Sequence, residues 1–194
     1  ARDQLPIVDS GEILSEVDIL VVGCGPAGLT LARQLAEFPK IKTCIIDHKS
    51  GPMLFGQADG VSCRTIEIME AYNSSELILK ESYWLNQICF WDPDKKTNQN
   101  IIRSQKTADP RLGLSEFPHV VLNQARIHDL LLDGMLNSDS QLKPTYSSRL
   151  KNLSIDENIS NKRDAFPIEA VIEQVDGNNK GKVKTVKAKY IVGC

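Results

Sequence analysis

One stretch, Asp18–Asp47 (DILVVGCGPAGLTLARQLAEFPKIKTCIID), constrains this chain more than any other. An apolar run, Ile19–Val22, leads into glycines at 23, 25 and 28, spaced G-x-G-x-x-G. Leu29, Ala32, Leu35 and Ala36 then recur at helical spacing, and a second β-rich run, Ile41–Ile46, ends in Asp47. Strand, turn, helix and strand in about 30 residues is the size of a βαβ unit. The three glycines have separate tasks. Gly23 permits the tight turn, Gly25 has no Cβ to hold a pyrophosphate off the backbone, and Gly28 lets helix and strand pack closely. Free N–H groups and the dipole at the helix start then favour a diphosphate. Asp47, about 20 residues past the motif, stands where a carboxylate accepts from a ribose 2′-OH. A 2′-phosphate there would meet a like charge, so the pocket suits FAD or NAD better than NADP. The alternative is an ordinary βαβ unit that needs small residues only for packing.

The rest of the composition mainly excludes. With 194 residues the chain suits one domain or slightly more, and its formal net charge of −2 offers no general attraction for nucleic acid or an acidic membrane. The five cysteines, at 24, 44, 63, 89 and 194, show no C-x-x-C and no Cys/His spacing for a metal. They read as reduced thiols of a cytoplasmic compartment. Nothing resembles a signal peptide, and no apolar run approaches the 18 residues of a membrane span.

In chain order, residues 1–16 read as an arm that reaches the first strand. After the dinucleotide unit comes a loop punctuated by Gly51-Pro52, Gly56 and Gly60. Ile66, Met69 and Tyr72 predict a helix over about 61–72, and a second short helix follows over 74–83 with Ser75 as its cap. Asn86–Asp92 alternates in strand fashion and pairs with a return strand near 100–105 as a hairpin. Residues 106–118 read as loop. His119–Asn123 is a short β-rich run feeding a helix from Gln124, with Ile127, Leu130, Leu131 and Met135 on one face. Three later β segments lie near 144–155, 167–175 and 183–193. The expected class is α/β: a Rossmann-like βαβ fold with a parallel central sheet plus antiparallel β segments. Strand 17–22 should be flanked by 41–46 and 189–193. The ending, Tyr190–Cys194, reads as a buried strand entering another turn, as in an incomplete domain.

Five stretches together resemble the FAD-dependent aromatic hydroxylases of the phenol 2-monooxygenase group, and within it the 3-hydroxybenzoate 4-hydroxylases. They are GCGPAGL at Gly23–Leu29, IID at Ile45–Asp47, GQADGVSCRTIEIME at Gly56–Glu70, FPHVVLNQARIHD at Phe117–Asp129 and KYIVGC at Lys189–Cys194. The resemblance implies that 17–194 is the first part of an FAD-binding domain with the beginnings of a substrate region. The whole enzyme would be a homodimer. Its implied reaction hydroxylates a phenolic ring, 3-hydroxybenzoate to 3,4-dihydroxybenzoate or phenol to catechol. NADPH reduces FAD, and the reduced cofactor activates O₂.

By the same resemblance, Gly23, Gly25, Pro26, Ala27, Gly28 and Asp47 hold the cofactor, with His48 near the adenosine. Gln57, Arg64 and Gln124 are further cofactor contacts. Asp59 is the active-site carboxylate that accepts the substrate hydroxyl proton. His119 is the donor for a hydroxybenzoate carboxylate, since a buried unpaired charge is costly. Each has a plainer reading. Asp59-Gly60 is an ordinary turn pair, Arg64 pairs internally with Glu67 or Glu70, Gln124 faces solvent in a first helical turn, and His119 is structural. Two other functions stay open: a different FAD or NAD oxidoreductase, and a non-catalytic nucleotide-binding fragment.

Overall fold

The computed structural model describes residues 11–97, 99–108 and 113–194. Residues 1–10 of the expected arm, Asn98 in the hairpin and 109–112 of the expected loop lie outside the described residues. The described residues form two compact units, one drawn from 11–54 and 128–194 and one from within 55–127.

The first unit is built on β1 (Glu16–Val22), α1 (Pro26–Leu35) and β2 (Thr43–Ile46). β1 pairs in parallel with β2, Leu20 opposite Cys44. On its other side it pairs in parallel with the strand Val183–Gly193, Leu20 opposite Ile191. That strand continues antiparallel into Ile168–Gln174, which pairs antiparallel with Ser148–Ile155. The first strand is therefore flanked by the two segments expected from its sequence. Val17, Leu20 and Val21 are fully buried. A parallel strand covered on both faces needs a continuous apolar run rather than alternation, and Ile19–Val22 supplies it. Val17, Leu20, Cys44 and Ile46 share one core with Ile168, Ala170, Ile172, Val186 and Ala188. This core joins the parallel and antiparallel halves of the sheet. Each fully buried Leu or Ile contributes roughly 1.5–3 kcal/mol. Residues 11–15 also pack in this unit: Gly11 N–H donates to the Pro144 carbonyl at 3.0 Å, Ile13 joins the core, and Lys187 N–H donates to the Ser15 carbonyl at 2.9 Å.

The second unit carries a small sheet and a hairpin. β3 (Gly60–Val61) and β4 (Tyr83–Leu85) flank the strand His119–Val121, both antiparallel. Between them lie α2 (Cys63–Ala71), capped by the Ser62 hydroxyl on Thr65 N–H, and α3 (Ser75–Glu81). Ile66, Met69 and Ile78 point inward from these helices. The cap position of α3 is Ser74, not Ser75. Ser75 instead donates its hydroxyl to the Glu70 carboxylate, because that acceptor lies one turn back on α2 and outcompetes the helix end. β5 (Gln87–Pro93) and β6 (Ile101–Ala108) form the hairpin. Residues 106–108, expected as loop, extend its second strand. With β7 (His119–Val121), α3 is followed in the chain by a further helix, α4 (Gln124–Leu136), that starts in the second unit and ends in the first. The first unit's last strands are then β8 (Ser148–Ile155), β9 (Ile168–Gln174) and β10 (Val183–Gly193).

Candidate functional site

In the first unit a cleft of about 300 Å³ opens beyond the carboxyl ends of β1, β2 and β10. This is where open α/β sheets bind ligands. The glycine-rich turn forms one wall. Gly23 has φ +115°, and a Cβ there would lie 2.3 Å from the Cys194 carbonyl oxygen. Its N–H donates to the Ile46 carbonyl at 2.8 Å, and Cys194 N–H donates to the Val22 carbonyl at 2.9 Å. The turn is thus wedged between the ends of β2 and β10. A Cβ on Gly28 would stand 2.0 Å from the Gly23 carbonyl oxygen, so α1 can approach β1 this closely only without a side chain there.

Gly25 differs: a Cβ there would meet nothing within 4 Å. It lines the cleft, and as N-cap of α1 it offers no side-chain acceptor to the first-turn N–H groups. Pro26 follows at the first helical position, where a missing N–H costs nothing. The residues therefore fit a diphosphate lying across Gly25, with Ala27 and Gly28 next in line as donors.

Asp47 is buried, and its carboxylate reaches back into the turn. Oδ2 accepts from Cys24 N–H at 2.7 Å, and Oδ1 accepts from Lys49 N–H at 2.8 Å. An ionised carboxylate has about four lone-pair sites, so capacity remains for a sugar hydroxyl. His48 is exposed, with Nδ1 3.3 Å from Asp47 Oδ1, and also lines the cleft.

A third wall comes from far along the chain. Thr145 N–H donates to the Ile45 carbonyl at 2.8 Å, and Asp47 N–H donates to the Thr145 carbonyl at 3.0 Å. Ser147 N–H donates to the Lys49 carbonyl at 2.7 Å, and Ser148 N–H to the Asp47 carbonyl at 2.8 Å. These bonds bring Ser148 and Arg149 into the cleft. The sequence carried no local signal for them, since nothing within 144–149 encodes a partner one hundred residues upstream.

Beneath the turn lies His128 on α4, 1% exposed, with Nε2 3.0 Å from the Cys24 carbonyl oxygen. Burial holds its pKa below the ordinary histidine value. Burial, and then the Asp47 charge, raise the Cys24 thiol far above its usual range; burial also raises the Tyr146 phenol, and pushes the Cys44 thiol up to about 11. Neither thiol is a nucleophile near neutral pH.

In the second unit three of the expected residues meet at the start of α4. Gln57 N–H donates to Gln124 Oε1 at 2.7 Å. Asp59 Oδ1 is 3.4 Å from Gln124 N, and the Asp59 carbonyl accepts from Leu122 N–H at 2.8 Å. A Cβ on Gly56 would sit 2.6 Å from Gln124 Cβ, so the loop passes close against the helix. Gln124 is therefore engaged with the 56–59 loop rather than directed only at solvent. His119 begins β7, opposite Leu85, and its Nε2 lies 3.4 Å from where a Gly60 Cβ would be. Asp59 and His119 so flank the same short ladder. Arg64 donates to Glu67 at 2.8 Å with its side chain 80% exposed. An exposed pair of this kind is worth about 0–1 kcal/mol and yields readily to a better anion. Among the described residues no His, Cys, Asp or Glu cluster is arranged to hold a metal, and no helix is long and apolar enough to cross a membrane.

Comparison with known proteins agrees with this geometry. A family profile described as FAD binding domain matches residues 16–194. The chain is 49% identical over 180 residues to a 3-hydroxybenzoate 4-monooxygenase of Comamonas testosteroni, covering 93% of this chain and 28% of that protein. It is 32% identical over 177 residues to an FAD-dependent monooxygenase of Aspergillus terreus, covering 91% of this chain and 28% of that protein. The chain thus spans little more than a quarter of these relatives. Among solved structures, p-nitrophenol 4-monooxygenase PnpA of Pseudomonas putida superposes with a TM-score of 0.70 at 14% identity, over 93% of this chain and 41% of that one. The flavin-dependent monooxygenase PieE, solved with FAD and substrate, gives 0.69 at 19% identity, over 91% and 29%.

Proposed function

The chain belongs to the FAD binding domain family, and from that premise we propose that it is the dinucleotide-binding part of a flavin-dependent monooxygenase that hydroxylates a phenolic ring. The observation that carries this reading is the fit of the cleft to a dinucleotide. Gly25 presents open backbone, the first turn of α1 is uncapped, and Asp47 stands at the end of β2 with acceptor capacity left. Gly23, Gly25, Pro26, Ala27 and Gly28 hold the diphosphate of FAD, and Asp47 and His48 its adenosine. In the second unit, Gln57, Arg64 and Gln124 are the proposed cofactor contacts. Bound FAD would supply the electron transfer from NADPH and the activation of O₂.

The substrate is a 3-hydroxybenzoate, converted to 3,4-dihydroxybenzoate, or a simple phenol, converted to catechol. Asp59 accepts the phenolic proton. A neutral phenol, with pKa near 10, is a poor electron donor, and sharing its proton raises ring electron density ortho and para to the oxygen. His119 pairs the carboxylate of a hydroxybenzoate. The 49% identity to the Comamonas protein supports that substrate class. NADPH as reductant and a homodimeric whole enzyme rest on the family resemblance carried by the five stretches together. The five free cysteines suit a reducing cytoplasm.

The full-length protein tests this. It should purify yellow with bound flavin and oxidise NADPH much faster when 3-hydroxybenzoate or phenol is added, forming the ring-hydroxylated product. A colourless protein that takes up no FAD, or a flavoprotein indifferent to every phenol offered, would overturn the proposal.

A further inference from the structure

We propose that His128 is a positioning residue of the nucleotide site: it holds the Cys24–Gly25 peptide in the one orientation that directs an N–H, rather than a carbonyl oxygen, into the cleft.

The contact is buried and one-sided. His128 is 1% exposed, its Nε2 lies 3.0 Å from the Cys24 carbonyl oxygen, and its Nδ1 has no hydrogen-bond partner among the described residues. A carbonyl can only accept, so Nε2 carries the hydrogen and Nδ1 is bare. In a planar trans peptide the C=O and the following N–H point in opposite directions. Drawing the Cys24 carbonyl down to His128 therefore turns the Gly25 N–H away from it, and Gly25 lines the cleft. The preceding peptide is held too, because Cys24 N–H donates to Asp47 Oδ2 at 2.7 Å. Two side chains from distant parts of the chain thus fix two successive peptides at the centre of the glycine-rich turn.

This clamp is needed because of the glycines themselves. Between Gly23 and Gly25 the backbone has unusual freedom, and a peptide flip would be cheap. A flipped peptide would present the Cys24 oxygen to the cleft, where it would repel an anion. Helix propensity and the dipole of α1 leave that peptide undetermined, since it precedes the first helical turn.

The inference rests on the FAD reading above, and FAD is the probe. In the full-length protein, His128→Leu should keep the shape of the core but orphan the carbonyl. FAD affinity should fall about tenfold or more, the scale of an unpaired buried acceptor. His128→Gln places an amide donor near the Nε2 position and should recover most of the affinity. Amide hydrogen exchange of apo protein over 23–29 should be faster in the Leu variant and near wild type in the Gln variant. A simple packing role predicts the reverse ranking, because Leu fills the apolar space better than Gln. Equal FAD affinity and equal exchange in wild type and the Leu variant would overturn the inference while leaving the FAD assignment intact. Wild-type protein that binds no FAD would overturn both. Should the Leu variant not fold, a crystal structure of the wild-type holoprotein decides: a Cys24 carbonyl facing the diphosphate sinks the proposal, and one still on His128 Nε2 supports it.

Discussion

Cys24 in the turn between β1 and α1 and Asp47 at the end of β2 are joined by a 2.7 Å hydrogen bond from the Cys24 N–H to the Asp47 carboxylate. The acid that the sequence marks for a ribose thus also braces the glycine-rich turn. The two tasks are compatible, since each oxygen has a second lone pair.

The brace predicts a graded effect. Asp47→Ala removes acceptors from both Cys24 N–H and Lys49 N–H. Charge-assisted bonds of this kind contribute about 1.5–3 kcal/mol each, so the apo protein should lose roughly 3–6 kcal/mol. Asp47→Asn keeps one acceptor oxygen and should lose about half as much. Denaturant unfolding of both apo variants measures this. A ribose contact alone would leave apo stability untouched in either.

The glycines of the motif should separate cleanly. Gly25→Ala adds a methyl into open space at an ordinary φ of −72°. Apo stability should change by less than about 1 kcal/mol, while FAD affinity falls, because the methyl occupies the diphosphate's approach. Gly28→Ala gains up to about 1 kcal/mol of helix propensity but drives a Cβ to 2.0 Å from the Gly23 carbonyl oxygen. The backbone must shift, and the net should be a loss of about 2–4 kcal/mol. Thermal melts of the two apo variants beside a flavin titration check the contrast. A Gly25 variant with full flavin content would place the diphosphate elsewhere.

A pH effect is expected at the other end of β1. Asp18 accepts from Lys189 Nζ at 2.8 Å and from Lys42 N–H at 2.8 Å, tying β1 to both neighbours. The Lys189 ammonium, foremost, holds the Asp18 carboxyl below its ordinary value. A depressed folded pKa means the contribution is present above the unfolded value of about 3.9 and is lost as pH falls through the folded value. The site is partly solvated, so Asp18→Asn should cost no more than about 1 kcal/mol at pH 7. That difference should shrink toward zero as pH falls through the folded value. Unfolding curves of the pair across this range decide; a constant gap would assign the loss to the Lys42 backbone bond.

The parts of the fold legible in the sequence are the ones specified locally. G-x-G-x-x-G, its flanking apolar runs and the 3.6-residue spacing of α1 all lie within about 30 residues, so each part signals itself. The run Tyr190–Val192 is legible as strand and does pair in parallel with β1, but it is not the buried strand that its apolar residues suggest: Tyr190 is 67% exposed and Ile191 and Val192 are half-buried. What was not legible depends on distant partners. Thr145–Ser148 forms a cleft wall only because it pairs with 45–49. His128 stood inside the apolar stripe of α4, beside Ile127 and Leu131, but its reason for being there is a carbonyl 104 residues away. The cap of α3 falls one residue before the expected Ser75, whose hydroxyl donates to Glu70 instead. For Arg64 the plainer partner, Glu67, is the one that the structure shows.

Asp59 and His119 should be separable by substitution in the full-length enzyme. Asp59 Oδ1 is 3.4 Å from Gln124 N, and its backbone carbonyl holds Leu122 N–H. Asp59→Asn keeps both acceptors and the shape, removing only the charge, so the start of α4 should stay in place and flavin should remain bound. If Asp59 takes the phenolic proton, ring hydroxylation should fall about 10²–10⁴-fold, the usual range for losing a positioned base. NADPH use should continue with less product formed per NADPH. His119→Ala should behave differently. His119 stands at the head of β7 beside Gly60, and its loss should weaken binding of 3-hydroxybenzoate while leaving phenol nearly unaffected, since only the former carries a carboxylate. The measurement is hydroxylated product per NADPH consumed, with both substrates and both variants. Unchanged coupling in Asp59→Asn would return Asp59 to a turn residue that steadies a helix start. Equal losses on the two substrates in His119→Ala would make the histidine structural and move the carboxylate's partner to another part of the enzyme.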